Sequence, residues 1–563
     1  MAFELTEKAL LASERNDIKP NIALVIEGIS TVFGAVNIEK IARYGEDSIT
    51  YGLADLFYGG TVPIEDQKEY ISFSGGTSTE IRQTLQQDKG VAESVSNMTV
   101  ALIDQNNEIT NIIAPGNVVP DINGRRCKVY FGFDGTAYPD DYIIIFRGIV
   151  QSTESLPGLV RMNLSHPDQK KRSTIFNPAS SALSGAMGSG DTVSNVTSSA
   201  DFLARITGPD GSTIDGDFRT YLKIDSEIME YQSISGNQFQ TLTRGVLGTT
   251  AAAHSSGATV ESFYRVGGST SNAIELSLKM MLSGENTFQF DNIIITNFVR
   301  ISASSSVANA IFFSNRDIIE ETNVQVGDFI ETTGATNGAN NVSPSTTIKV
   351  SDIVIVEGVG SYIVVGGVSF VEEVATSALL KIRSQYDVWP DGLRMKMDEV
   401  DISEHDDIKN TFVVDFSLDF YLVDEINGKE FISQQIYDPV GCFSLPRKSQ
   451  ASLGIHVPPL PNENIISLDI DNVVDPKAIK IQRSTNKNII NTILYKYETL
   501  ATDPDTFTQT TLSLDSAAIS QLNVGRRSKV IEAQGMRTAL SAEARATATA
   551  SRRLKNIQKV LSF

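Results

Sequence analysis

Cysteine, histidine and tryptophan are scarce in this chain of 563 residues: two, four and one respectively. Cys127 and Cys442 lie far apart and neither belongs to a CxxC pair. That excludes a cysteine-rich zinc site and a disulfide scaffold, and leaves open a single long-range bridge. His166, His254, His405 and His456 form no HExxH motif. There is no GxSxG elbow, no Walker loop and no GxGxxG opening a helix. The expectation is a protein that is not an enzyme and takes no cofactor and no metal, although acids are plentiful enough for carboxylates to pair in space. Long apolar runs are missing too. YIIIF at 142–146 is among the longest, far short of the ~18 residues of a membrane helix. The opening MAFELTEKALLASERND lacks a basic stretch followed by an apolar one, so it is not read as a secretory signal. A soluble chain made in a reducing cytoplasm is expected. Basic residues are outnumbered, 47 against 68, for a net charge of −21. This argues against a broad basic surface for nucleic acid, whose phosphates need Lys and Arg. KKR at 170–172 and GRRSK at 525–529 are too small to reverse that. An acidic lumen would instead repel a polyanion and let it slide; solubility alone explains the charge as well.

The composition is globular, 41% hydrophobic and 20% charged. The length suggests about three to five domains, and segments rich in Thr, Ser, Val and Ile favour strands. The chain reads as mainly β and multidomain. Residues 1–17 read as a polar helix or arm. Strands are expected at 21–29 and 30–36 across a turn at Gly28, then at 97–104, 127–133, 142–150 and 159–164. That spacing suits a barrel or sandwich. Ile81 and Leu85 give 78–89 a helical spacing. The Ser/Gly/Ala-rich stretch 173–200 reads as a linker or exposed loop. Asn272–Leu282 reads as a helix, and 293–301, 353–356 and 361–374 as strands, with 334–345 a flexible loop. Trp389 in DVWPDG reads as a packing anchor. Residues 411–423 alternate cleanly, placing Phe412, Val414, Phe416, Leu418, Phe420 and Leu422 on one face and Asp415 and Asp419 on the other, toward solvent or a lumen. SEHDD at 403–407 reads as a solvated loop.

The richest stretch is 221–263. Tyr221–Tyr231 reads as a strand with Asp225 and Glu227 on one face. A turn follows at 233–237, then a strand at 239–244, a loop bracketed by Gly245, Gly248 and Gly257, and a strand at 258–263. The loop carries Arg244, Thr249, Thr250 and His254. Two readings are open. Asp225, Glu227 and His254 could converge on a metal, or Arg244 could clamp Asp225 or Glu227 through its planar fork while His254 donates to a loop carbonyl. The clamp is favoured, because a unit this small needs polar staples. The order IDxE, turn, TRGxxGTT, AAAH and GAxV resembles a small β-module that recurs in bacteriophage tail proteins. The resemblance rests on Asp225, Glu227, Arg244, Gly245, Gly248, Thr249, His254 and Gly257.

Two further stretches carry ordered patterns. From 97 to 172 the order is a strand, a turn at Asp104, a strand, FRGIV at 146–150, and a strand ending at HPDQKKR. Near the C-terminus the matching positions are Asn491, Tyr497, Asp515, Ser516, Ser520, Gly525, Arg526, Ile531 and Gly535, before an Ala/Arg-rich helix at 536–563. The basic residues of that helix, Arg537, Arg545, Arg552, Arg553, Lys555 and Lys559, face only Glu543. They suit either docking on an acidic partner or simple solvation. Both stretches resemble the hub protein of phage tails, of the T4-like family, and the resemblance implies tail-tube-like β-barrels in a trimeric hub at the distal end of the tail tube. Such a hub adapts a sixfold tube to a threefold tip. Expected partners are two further copies, the tail tube or distal tail protein, and a central spike or tip protein. The resemblance also implies that DNA passes through the lumen without specific binding and that the protein resides in the virion. The expected division is 1–200 (first barrel region), 201–265 (inserted module), 266–400 (middle domain), 401–535 (second barrel region) and 536–563 (C-terminal helix). The other reading is a carbohydrate-binding or glycan-cleaving tail protein, which would need an exposed aromatic platform beside paired acids.

Overall fold

The computed structural model describes residues 20–29, 31–34, 39–41, 61–63, 68–72, 77–86, 91–114, 122–133, 136, 138, 141–203, 217–284, 295–296, 300–302, 309–314, 319, 322–343, 347–356, 360–373, 379–447, 450–455, 480–483, 492–514, 526, 528–537 and 559–562. It is mainly β, with several sheets. The chain divides into one unit of Met1–Thr84, Glu93–Gln169 and Leu445–Ser452 and another of Leu85–Ala92, Lys170–Ser444 and Leu453–Phe563.

The first unit is built on β1 (Pro20–Ile26), β2 (Phe33–Gly34), β3 (Lys68–Glu69), β4 (Ser78–Gln86), β5 (Val91–Ile103), β6 (Arg126–Phe133), β7 (Ile143–Leu156) and β8 (Leu159–Ser165). They pair in the order β3-β2-β1-β6-β7-β8-β5-β4. Tyr70–Ser72 then closes the sheet on itself. The Tyr70 and Ile71 N–H groups donate to Gly34 O on β2 (2.8 and 2.9 Å), and Ser72 N–H donates to Ala101 O on β5 (2.8 Å). Alternate residues of successive strands fill the interior. They include Leu24, Val100, Leu102, Val129, Phe146, Val150, Val160 and Met162, all buried. The FRGIV strand shows why its glycine is needed: a Cβ at Gly148 would collide with the Phe146 ring and the Ser165 carbonyl. Asp104 ends β5 and starts a short helix, α1 (Glu108–Ile113). Its carboxylate accepts the Ile109 N–H (2.8 Å) and the Thr110 hydroxyl (2.5 Å), satisfying donors left over at a helix start. Ile109 seats in the barrel core. The helix expected over 78–89 is the strand β4 instead. Residues 81 and 85 are four apart, which fits a period of two as well as a period of 3.6.

The second unit begins its first sheet in the stretch read as a linker. Strands β9 (Ser180–Ala182) and β10 (Val193–Asn195) both pair, and Ala179, Leu183, Met187, Val196 and Phe202 are buried. Widely spaced apolar residues in a small-residue background are enough to fold here, because the partners come from far along the chain. Those partners are β11 (Phe218–Ile224), β12 (Glu227–Glu230), β13 (Ser233–Ser235), β14 (Gln238–Gln240) and β15 (Thr259–Asn272). The sheets run β9-β15-β11-β12 and β10-β14-β13. Beyond them, α2 (Ala273–Leu282) starts where the Asn272 side chain accepts the Ile274 N–H (2.9 Å). A seven-stranded sheet follows, from β16 (Ile295–Thr296), β17 (Arg300–Ser302), β18 (Ala310–Ser314), β19 (Phe329–Thr333), β20 (Lys349–Val356), β21 (Gly360–Gly366) and β22 (Leu379–Arg383), in the order β16-β22-β19-β20-β21-β18-β17. The loop after β19 is tied rather than flexible. Glu373 accepts the Thr336 and Asn337 N–H groups and the Asn340 amide, at 2.6, 3.0 and 2.8 Å.

SEHDD lies on a helix, α3 (Ile402–Phe412), with His405 fully buried. The clean alternation over 411–423 yields a strand only from Ser417, β23 (Ser417–Leu422). The helix takes Phe412, and Val414 is exposed. β23 pairs with β15, so it joins the sheet of the module. The last described strands are β24 (Lys480–Arg483), β25 (Thr492–Leu500), β26 (Asp503–Leu514), β27 (Ser528–Ala533) and β28 (Lys559–Ser562). Lys559–Ser562 pair with β24 rather than extending a helix. The arm at 1–17, the helix over 538–558 and the motif positions Asn491, Asp515, Ser516, Ser520 and Gly525 lie outside the described residues.

Candidate functional site

The residues singled out between 225 and 257 come together on one buried node. What was read as one strand over 221–231 is a hairpin. β11 turns at Asp225, which takes the left-handed φ of 53°, and returns as β12. The turn carries Asp225 and Glu227, and both point at His254. Glu227 is fully buried and receives five donors. They are Arg244 Nε (2.7 Å), Arg244 Nη2 (2.8 Å), Gly245 N (3.0 Å), Ala252 N (2.9 Å) and His254 Nε2 (2.9 Å). Asp225, 65% exposed at its side chain, lies 2.8 Å from His254 Nδ1. Burial alone would raise the Glu227 carboxyl. The Arg244 guanidinium, the Ala252 N–H and His254 outweigh it and hold the group at about 2.

Arg244 also donates to three carbonyls. Nη1 reaches Gly188 O (2.6 Å) and Asp191 O (3.3 Å), and Nη2 reaches Ala252 O (2.6 Å). One guanidinium therefore ties the 225–227 turn, the 244–254 loop and the 188–191 segment together. Gly188, Asp191 and Ala252 escaped the sequence reading because they contribute only backbone groups, which no residue type advertises. The expected bond from the His254 ring to a loop carbonyl is replaced by contacts with two carboxylates, one against each ring nitrogen. Its backbone pairs with Met187 (2.8 and 2.9 Å). Thr249 closes the loop, its hydroxyl donating to Val246 O (2.8 Å) and accepting the Ile228 N–H (3.1 Å). Gly245, Gly248 and Gly257 have φ of 60°, 84° and 84°, where only glycine is unstrained. At Gly245 a Cβ would also stand 2.8 Å from Ala251 N.

Chemically this node is a clamp. A metal at this point would need a free lone pair on His254, and both nitrogens already face carboxylates. Among the described residues no group of three or more His, Cys, Asp or Glu is arranged to hold a metal ion. Glu227, with five donors, has no capacity left to act as a base.

Other residues from the sequence reading are structural as well. Asp419 does not face open solvent: it makes a bidentate pair with Arg265 (2.8 Å to each oxygen), while Asp415 is exposed. Trp389 is fully buried against Phe176 and Phe218, so it offers no platform for a sugar. His405 Nδ1 donates to Asp401 O (2.7 Å), and Nε2 lies 3.0 Å from the Tyr437 hydroxyl. Burial lowers His405 to about 3. Cys127 and Cys442 are both buried and neither is in a disulfide, and burial pushes the Cys127 thiol up to about 12. Among the described residues no helix is long and apolar enough to cross a membrane.

No family model matches the chain, and no curated protein matches it. Among solved structures, a chain of the "Virion of native gene transfer agent (GTA) particle" is similar at 14% identity, over 46% of this chain and 83% of that one, with a TM-score of 0.17. At that score the likeness carries no argument about this chain.

Proposed function

We propose that this chain is a structural protein of a phage-like particle, and within it the hub at the distal end of the tail tube. The observation that carries the reading is the closed barrel of residues 20–165, with Phe146 and Val150 of the FRGIV strand packed inside it. Its strand order supports the resemblance of this region to tail hubs, and the clamped module around Glu227 and Arg244 supports the second resemblance to tail proteins. In this reading the chain is a homotrimer in the virion. It contacts the tail tube on one side and the spike or tip on the other, lets DNA pass without specific binding, and does no covalent chemistry. Electron microscopy of particles labelled with gold-conjugated antibody against the chain tests it. Label at the distal end of the tail is expected. Label on the capsid, or none on intact particles, would refute it.

A further inference from the structure

The sheet of β26, β25 and β27, paired in that order, has one buried face and one bare one. Ile493, Tyr495, Tyr497, Ile531 and Ala533 are buried. On the other face Leu494 stands opposite Leu512 on β26 and opposite Val530 on β27, and directly opposed residues share a face. Leu512 is 52% exposed and Val530 46%. An apolar row thus crosses all three strands, half-buried at Leu494 and exposed at both ends.

The edge beside this row is equally unguarded. Among the described residues β26 pairs with β25 alone, and none of its side chains is fully buried. From Thr506 to Leu514 it reads TFTQTTLSL, without a charge, a proline or a glycine, in a chain with 20% charged residues. Threonine, phenylalanine and leucine there favour a strand. Soluble proteins blunt such edges with lysine, proline or a bulge, because an open edge templates pairing with another chain. This one has none of those devices over Thr506–Leu514; its register shift lies at Thr499/Leu500.

We propose that the edge is an interface with a second copy of this chain, β26 of one copy pairing with β27 of the next. The sheet supplies both halves itself. β26 runs antiparallel to β25 and β27 parallel to it, so copies related by rotation bring β27 alongside β26 in antiparallel register. Charge permits another copy here. A net charge of −21 on each copy opposes association in general, but β26 is neutral beyond Asp505. The charges on β27 are matched within their own copy: Lys529 by Asp438 (3.1 Å) and Glu532 by Lys496 (2.8 Å). Two edges without net charge meet with no like-charge repulsion of their own. A head-to-tail contact of this kind forms a ring when the rotation closes. Closure at three copies rests on the proposed hub reading; the edge pairing does not.

The test is hydrogen exchange on the purified full chain at rising concentration, with native mass spectrometry on the same samples. Amides of 506–514 and 528–533 should slow by about tenfold or more as the oligomer forms. Thr510→Lys with Leu512→Lys should leave the chain monomeric with unchanged exchange over 91–165. Ile355→Lys, at a residue 50% exposed on another sheet, should leave association intact. The proposal is overturned by an oligomer whose 506–514 amides stay fast, by association that survives the double lysine variant, or by a chain that stays monomeric. In any of these cases, label at the tail end would leave the hub reading standing.

Discussion

Removing Arg244 is the most informative perturbation of the module. Arg244→Ala deletes two of the five donors to the buried Glu227 carboxylate and leaves the carbonyls of Gly188, Asp191 and Ala252 without the guanidinium. Breaking a buried ion pair from one side costs about 3–5 kcal/mol, chiefly because the remaining charge stays buried. Glu227 keeps Gly245 N, Ala252 N and His254, which sets the expectation toward the lower end. Arg244→Lys should recover only part of the loss, since an ammonium cannot fill the planar fork. Arg244→Ala combined with Glu227→Gln should cost less than the sum of the two single changes, because the second removes the orphaned charge. The assay is amide hydrogen exchange over 218–224 and 259–266, which reads opening of the module separately from the rest of the chain. At 1.4 kcal/mol per tenfold, exchange there should quicken by about a hundredfold or more. A change under about tenfold, or strictly additive double-variant behaviour, would refute the clamp.

Gly245→Ala should destabilise the same segment by about 1–3 kcal/mol, through a left-handed backbone and a crowded Cβ, seen as faster exchange over 244–254. Asp104→Ala should loosen the helix Glu108–Ile113 by about 1–2 kcal/mol through loss of its cap, with the β6–β7 amides unchanged in the same experiment. Acid should weaken the second unit. His405 is held at about 3 in the fold against 6.5 in the unfolded chain, so the unfolded chain takes the proton first. Stability is full above about pH 6.5 and falls as pH drops toward 3. Denaturation followed across that range should show the slope, and His405→Asn should flatten it.

Much of the barrel was legible because its strands are half-buried and alternate. The turns at Gly28 and Asp104, the FRGIV strand and the helix starting at Asn272 follow from local pattern alone. Arg244 was visible as a clamp, because a planar fork beside a glycine-rich loop suits a carboxylate, but the choice between Asp225 and Glu227 was not; burial of Glu227 decides it. Three features were hidden for physical reasons. The 225–227 hairpin depends on Asp225 accepting a positive φ, which the sequence permits without requiring. The 173–200 stretch folds only because β14 and β15 supply its partners from far downstream. Over 411–423 the alternation is real, but the preceding helix claims Phe412, and tertiary packing overrides local period.

The central claim is a structural role at the end of a tail, and the copy number at that place tests it most directly. A reconstruction of purified particles at their distal end, with chain density assigned from the 20–165 barrel, should show three copies arranged around the tail axis. Six copies in the assembled tail, or the absence of this barrel from the distal end, would contradict the account.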